Sequence, residues 1–210
     1  MHRRHRRIGL ACAVIILLCV PTACDLDDIG GSPDSPEPQV CAGYPDWETS
    51  DYVLPYDIGR AHRVSQGNCT NASHQRTLSY SYDLEMPFGS TVTAARAGMV
   101  YAMRMTQPAG SRGLTASNWL QVQHDDGSIA HYVHLAQFGN LVEVGDFVDA
   151  GDPLAITGDT GDVGDYPHLH FDVTPCDSNL LCNTVPMTFR NTTPNPDGLQ
   201  WDVIYEAFPY

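Results

Sequence analysis

Lysine is absent from this chain: all 11 basic residues among its 210 are arginines. That absence excludes any mechanism built on a lysine Schiff base or a lysine-tethered cofactor. Positive charge is scarce altogether. Asp and Glu number 25, for a net charge of −14. Four arginines (Arg3, Arg4, Arg6, Arg7) sit in the first seven positions, and the remainder stands at 7 basic against 25 acidic residues, or −18. So acidic a surface argues against nucleic acid as a partner, because neutralising a phosphate backbone needs a basic face. No apolar run reaches the roughly 20 residues that span a bilayer. Long stretches of helical periodicity and internal repeats of 20–50 residues are missing too. What is there, 42% hydrophobic and 17% charged residues, is enough for one folded domain plus a tail.

The first residues read as an address. His2 to Arg7 is basic, Ile8 to Val20 is apolar, and Pro21-Thr22-Ala23-Cys24 follows. This is the layout of a secretory signal peptide over 1–23. Cys24 after Ala23 resembles the lipobox of bacterial lipoproteins, although Pro21 stands where leucine is usual. The resemblance implies a lipidated Cys24, anchorage to a bacterial membrane, and a domain facing the periplasm or the exterior. Plain cleavage beside an ordinary cysteine is the alternative. Residues 24–40, rich in Gly, Pro and acids, read as a flexible tether. The domain is then 41–210.

Export puts the remaining cysteines in an oxidising compartment. Cys41, Cys69, Cys176 and Cys182 make an even set, which predicts two disulfides. Cys176–Cys182 closes a short loop, and Cys41–Cys69 follows by elimination, one of three pairings. A cysteine zinc site is the alternative, but no C-x-x-C spacing occurs.

The body alternates short β-prone runs with turn residues. Leu78–Asp83, Ser90–Ala95, Gly98–Met105, Trp119–His124, Ser128–His134, Val142–Val148, Pro153–Thr157 and His168–Thr174 are the predicted strands. Asp125-Asp126-Gly127 makes a hairpin of two of them. Val185–Arg190 reads as an edge strand and the rest as a closing extension. The fold class is all-β, with antiparallel neighbours joined by tight turns.

The chemistry lies in histidines. In His168-Leu169-His170 the two imidazoles, at i and i+2 of a strand, project to one face while Leu169 packs behind. Alone this could be surface decoration. Its context is Gly158-Asp159-Thr160-Gly161 and Gly164-Asp165-Tyr166-Pro167 before it, Phe171-Asp172-Val173 after it, and Tyr132-Val133-His134-Leu135 upstream. Tyr82-Asp83 lies further upstream, followed by Pro87-Phe88-Gly89-Ser90 and Gly98-Met99-Val100. This ordered series resembles the lysostaphin/LytM-type zinc metalloendopeptidases, which cut peptide cross-links of bacterial peptidoglycan. It runs over a core of 74–174, leaving 175–210 as a C-terminal extension.

The resemblance implies a central antiparallel sheet whose groove holds Zn²⁺, with His74, Asp83 and His170 as metal ligands and His134 and His168 as catalytic residues. Three ligands plus water make an open catalytic site. With no His-Glu-x-x-His helix, a histidine has to serve as the base. His74 and Asp83 stand nine apart where many members have four, and His62 is the alternative first ligand. Tyr132, Asn118 and Trp119 are expected near the groove, Asp172 as a support for a ligand, His124 and His131 as structural or peripheral. The substrate implied is a peptidoglycan peptide; a glycine bridge and a D-alanyl cross-link leave the same motifs, and a protein activator is unknown.

Two other functions compete. A degenerate LytM-like domain would bind or activate another cell-wall hydrolase without catalysis. Val142–Ile156 also resembles the hammerhead hairpins of biotinyl/lipoyl-type carriers, but a carrier needs an acceptor lysine.

Overall fold

A computed structural model describes residues 41–210 apart from 71, 165 and 177–181. The expected signal peptide, Cys24 and the tether lie outside the described residues. Among the described residues eleven strands make two sheets. The larger has the order β11-β1-β2-β10-β6-β5-β4-β8, and the smaller β3-β9-β7; all the pairings are antiparallel. The strands are β1 (Ala61–Gln66), β2 (Tyr82–Glu85), β3 (Thr91–Thr93), β4 (Gly98–Arg104), β5 (Trp119–Gln123), β6 (Ile129–Val133), β7 (Leu135–Asn140), β8 (Phe147–Val148), β9 (Pro153–Thr157), β10 (Leu169–Thr174) and β11 (Ile204–Glu206). Helix is limited to three short 3-10 turns among the described residues.

Strand parity sorts the large sheet into two faces. Tyr82, Leu84, Leu120, Val122, Tyr132, Leu169, Phe171 and Val173 are fully buried on the core side. Each such side chain stabilises the fold by about 1.5–3 kcal/mol relative to exposure. The intervening residues Asp83, His131, His170 and Asp172 face a groove on the other side. Val92, Leu135, Leu154 and Ala155 of the small sheet join the same core.

Several expectations need correction. Val185–Arg190 is not a strand. Pro186 has no N–H for a ladder, and Met187 and Phe189 are buried in the core instead. The backbone of Phe189 is satisfied at both ends by the Asn195 side chain, at 2.8 Å each. The run Val142–Val148 is mostly a turn, closed by Glu143 N–H on Asp146 Oδ2 (2.8 Å); only Phe147 and Val148 form a strand. Leu78–Asp83 yields a strand only from Tyr82, after a 3-10 turn at Arg76–Leu78. β1, β7 and β11 had no alternating pattern to announce them.

Both expected disulfides are present, Cys41–Cys69 and Cys176–Cys182. The first ties the start of the described chain to the loop between β1 and β2. Closing a loop of that length is worth about 2–4 kcal/mol.

Candidate metal centre

β2 and β10 are neighbours in the sheet, and their register sets Asp83 opposite His170. Parity then puts both side chains in the groove. Asp83 Oδ1 accepts a hydrogen bond from His170 Nδ1 at 2.8 Å and lies 3.2 Å from His74 Nε2 and 3.6 Å from His168 Nε2. One ligand atom from each of His74, Asp83 and His170 fits within 4.8 Å of the others, close enough to share one ion.

His74 arrives from a loop, so its position rests on contacts rather than on register. Its ring is fully buried, and Nδ1–H donates to Gly67 O at 3.0 Å. The Cys41–Cys69 bridge and a hydrogen bond from Cys69 N–H to Ser79 O (2.7 Å) pin the loop. Gln66, turned so that its Oε1 faces the loop, accepts from Ser73 N–H (3.0 Å) and His74 N–H (2.9 Å). His62, the alternative first ligand, lies elsewhere on β1: its Nδ1 bonds Glu85 O and its ring meets Tyr56 edge-on.

His134 reaches the groove by an irregularity. Three residues after His131, it belongs on the opposite face of a regular strand. β6 ends at Val133, however, and His134 has φ 68°, a left-handed conformation that swings its ring back to the groove side. His131, expected to be peripheral, therefore also lines the groove. It is buried, with Nδ1 on Gln121 and Nε2 on Thr174 Oγ1. Tyr132 faces the core, where its hydroxyl accepts from Ala95 N–H at 2.8 Å. Asn118 is a buried staple between Gln107 and Leu135, and Trp119 packs under Arg104.

The four histidines around Asp83 share one design. Each spends one ring nitrogen on the wall: His74 Nδ1 on Gly67 O, His134 Nδ1 on Thr160 O (2.7 Å), His168 Nδ1 on Tyr166 O (3.0 Å), and His170 Nε2 on Asp172 Oδ2 (3.1 Å). In the neutral ring the wall bond fixes the tautomer and leaves the other nitrogen as a lone-pair donor. The His134 and His168 rings are 4.8 Å apart, those of His74 and His170 5.2 Å. Gly161 makes the Thr160 contact possible. Its φ is +89°, and a Cβ there would strike Ser117 and lie 3.1 Å from His134 Nδ1.

The electrostatics favour a cation. Burial alone would raise Asp83, but the hydrogen bond from His170 and the close approach of the His74 ring hold its carboxyl well below the usual carboxylate range. Burial would likewise lower His170, yet its bonds to Asp172 and Asp83 outweigh it and push the ring up to about 10. A field that stabilises a proton so strongly stabilises a metal ion at the same point. The donor set tests well against one: His74 Nε2 is buried without a hydrogen-bonding partner, and its nearest neighbour is the shared carboxylate. Burial, with the neighbouring His168 and His170, lowers His134 to about 3, so it is neutral at physiological pH.

Asp172 and the carbonyls of Gly67, Thr160 and Tyr166 are the parts that motif spacing did not specify. Only Asp172 had a signal, its position two residues beyond His170.

The profile of peptidase family M23 matches residues 77–181, half of the chain, beginning just after His74. An uncharacterized metalloprotease of Buchnera aphidicola is 30% identical over 103 residues, covering 49% of this chain but 23% of that protein, so the chain spans about a quarter of the relative. Among solved structures, lysostaphin is 26% identical with a TM-score of 0.42, over 56% of this chain and 44% of that one. Pseudoalterin, an M23 metalloprotease from the deep sea, is 19% identical with a TM-score of 0.49, over 69% and 80%. The chain belongs to peptidase family M23.

Proposed function

We propose that this chain is a zinc-dependent endopeptidase that hydrolyses peptide cross-links of bacterial peptidoglycan, exported and anchored to a membrane through a lipidated Cys24. The observation that carries the hydrolase reading is the convergence of three ligand atoms, from His74, Asp83 and His170, beside two further imidazoles with free nitrogens. In this reading His74 Nε2, Asp83 Oδ1 and His170 Nδ1 hold the metal, and the groove, about 530 Å³, takes an extended peptide.

When bound, zinc supplies a Lewis acid that makes water nucleophilic near neutral pH and polarises the scissile carbonyl. His134, held neutral by burial, accepts the proton from the attacking water at Nε2, with its Nδ1–H locked on Thr160 O. His168, with Nδ1 on Tyr166 O, presents Nε2 beside Asp83 and walls the site opposite His134, and the proton that His134 takes from water is the one it passes to the leaving amine. Asp172 takes no part in proton transfer and keeps the His170 ring turned toward Asp83.

Digestion of purified peptidoglycan with and without chelator, with fragments identified by mass, tests the proposal. The expected products are new peptide termini that vanish with chelator and return with zinc. Intact peptidoglycan together with one-equivalent zinc binding would overturn the substrate. Absence of zinc binding would leave the non-catalytic, hydrolase-activating reading.

A further inference from the structure

The groove does not end at the metal centre. Ser65, Gln66 and Ala72 line it, and the same three residues line a second hollow of about 440 Å³ whose far wall is Trp201. Trp201 lies in the C-terminal extension, outside the segment that matches the family. Its indole is 62% exposed, which costs the fold a large apolar surface left in water.

The turn that carries it is nonetheless tightly held. Asp202 N–H donates to Val64 O (2.8 Å), and Val64 N–H to Val203 O (2.9 Å). Arg63 pairs with Asp202 at 2.9 Å, and Asp202 adopts φ 64°, a left-handed conformation. The backbone of Trp201 packs on Gly67, where even a Cβ would meet Trp201 N at 3.4 Å. Gly67 is the residue whose carbonyl orients His74. A rigid, exposed aromatic ring is thus set at one end of the groove by the strand that also serves the metal centre.

We infer that this hollow is a saccharide subsite, in which Trp201 stacks on the apolar face of a sugar ring of the substrate's glycan while its peptide crosses the metal centre. The remaining walls fit that chemistry. Ser65 and Thr70 offer hydroxyl oxygens as acceptors, their protons going to Asp83 O and Gly67 O, Ala72 and the Cys69 bridge are neutral, and no charged side chain among the described residues lines the hollow. A pyranose has one apolar C–H face and a rim of hydroxyls, and the hollow is large enough for one ring. A ligand recognised by charge would find no partner here.

The inference rests on the peptidoglycan reading, so its test separates the two. Steady-state cleavage is compared on a cross-linked stem peptide and on the same peptide bearing its N-acetylglucosaminyl-N-acetylmuramyl disaccharide. The native enzyme should show a KM roughly tenfold lower for the disaccharide-bearing form. In W201A that ratio should fall to about one, with kcat on the disaccharide form and bound zinc retained; Trp201→Phe should restore part of it. Equal KM values in the native enzyme, or a W201A defect of the same size on both substrates, would overturn the saccharide assignment, the latter in favour of a peptide side chain. If neither substrate is cut, the hydrolase reading fails while the subsite is still decided by titrating the disaccharide alone. A change in indole fluorescence that W201A abolishes supports it, and no change overturns it.

Discussion

Two sets of buried histidines invite comparison. His124 and His131 are as enclosed as the groove histidines, and His124 even carries a buried Nε2 without a hydrogen-bonding partner, as His74 does. Yet His124 Nδ1 is tied to Ala97 O and its ring meets Tyr52, while His131 has both nitrogens spent on Gln121 and Thr174. In the metal centre the ring nitrogens of His74, His168 and His170 that face away from the wall converge within 3.6 Å of one carboxylate oxygen. An orphan nitrogen is therefore not by itself a site. A shared carboxylate, with each ring's second nitrogen fixed to the wall, separates a ligand from a satisfied core histidine.

Removing the shared carboxylate should break the comparison outright. In Asp83→Asn, bound zinc should drop from one equivalent to none, by elemental analysis, and peptidoglycan cleavage should fall to background. His134→Ala sharpens it by leaving the ligands intact: zinc should stay at one equivalent while kcat falls about 10²–10⁴-fold, the usual contribution of a general base. Asp172→Asn should act more weakly, through the orientation of His170. Zinc affinity, read by competition with a chelating dye, should fall about 10–100-fold, as for other partners of metal-bound histidines.

The smallest effect concerns the structural set. Burial lowers the pKa of both His124 and His131. Each binds its proton less tightly folded than unfolded, so protonation favours the unfolded chain. Their stabilisation is complete above the unfolded value near 6.5 and is lost as pH falls through the lower folded values. Urea midpoints should fall between pH 6.0 and 4.5, and His124→Asn should flatten that slope without altering bound zinc.

Part of this was legible in the sequence. The pairs Leu169-in/His170-out and Tyr82-in/Asp83-out follow from strand alternation alone, and the structure has them. The even cysteine set and the Asp125-Asp126-Gly127 hairpin were readable for similar reasons. The motif pointed to a groove position for His134, where its ring lies, but alternation counted from His131 pointed the wrong way for Tyr132 and His131. The left-handed φ at His134 breaks the count, and nothing in Val133-His134-Leu135 announces it. Val185–Arg190 misled because its apolar residues alternate like a strand while its backbone bonds go to side chains such as Asn195.

By itself the sequence determined which side chains share a face, because alternation is a steric property of neighbouring residues. It also decided that no lysine chemistry is available and that acid dominates the surface. Tertiary structure alone brought His74, and not His62, beside Asp83 and His170. The choice depends on a loop held by Cys41, Gln66 and Ser79, contacts whose formation no local rule encodes. The same holds for Trp201, which reaches the hollow beside the groove only because the C-terminal turn pairs with β1 across more than half the chain.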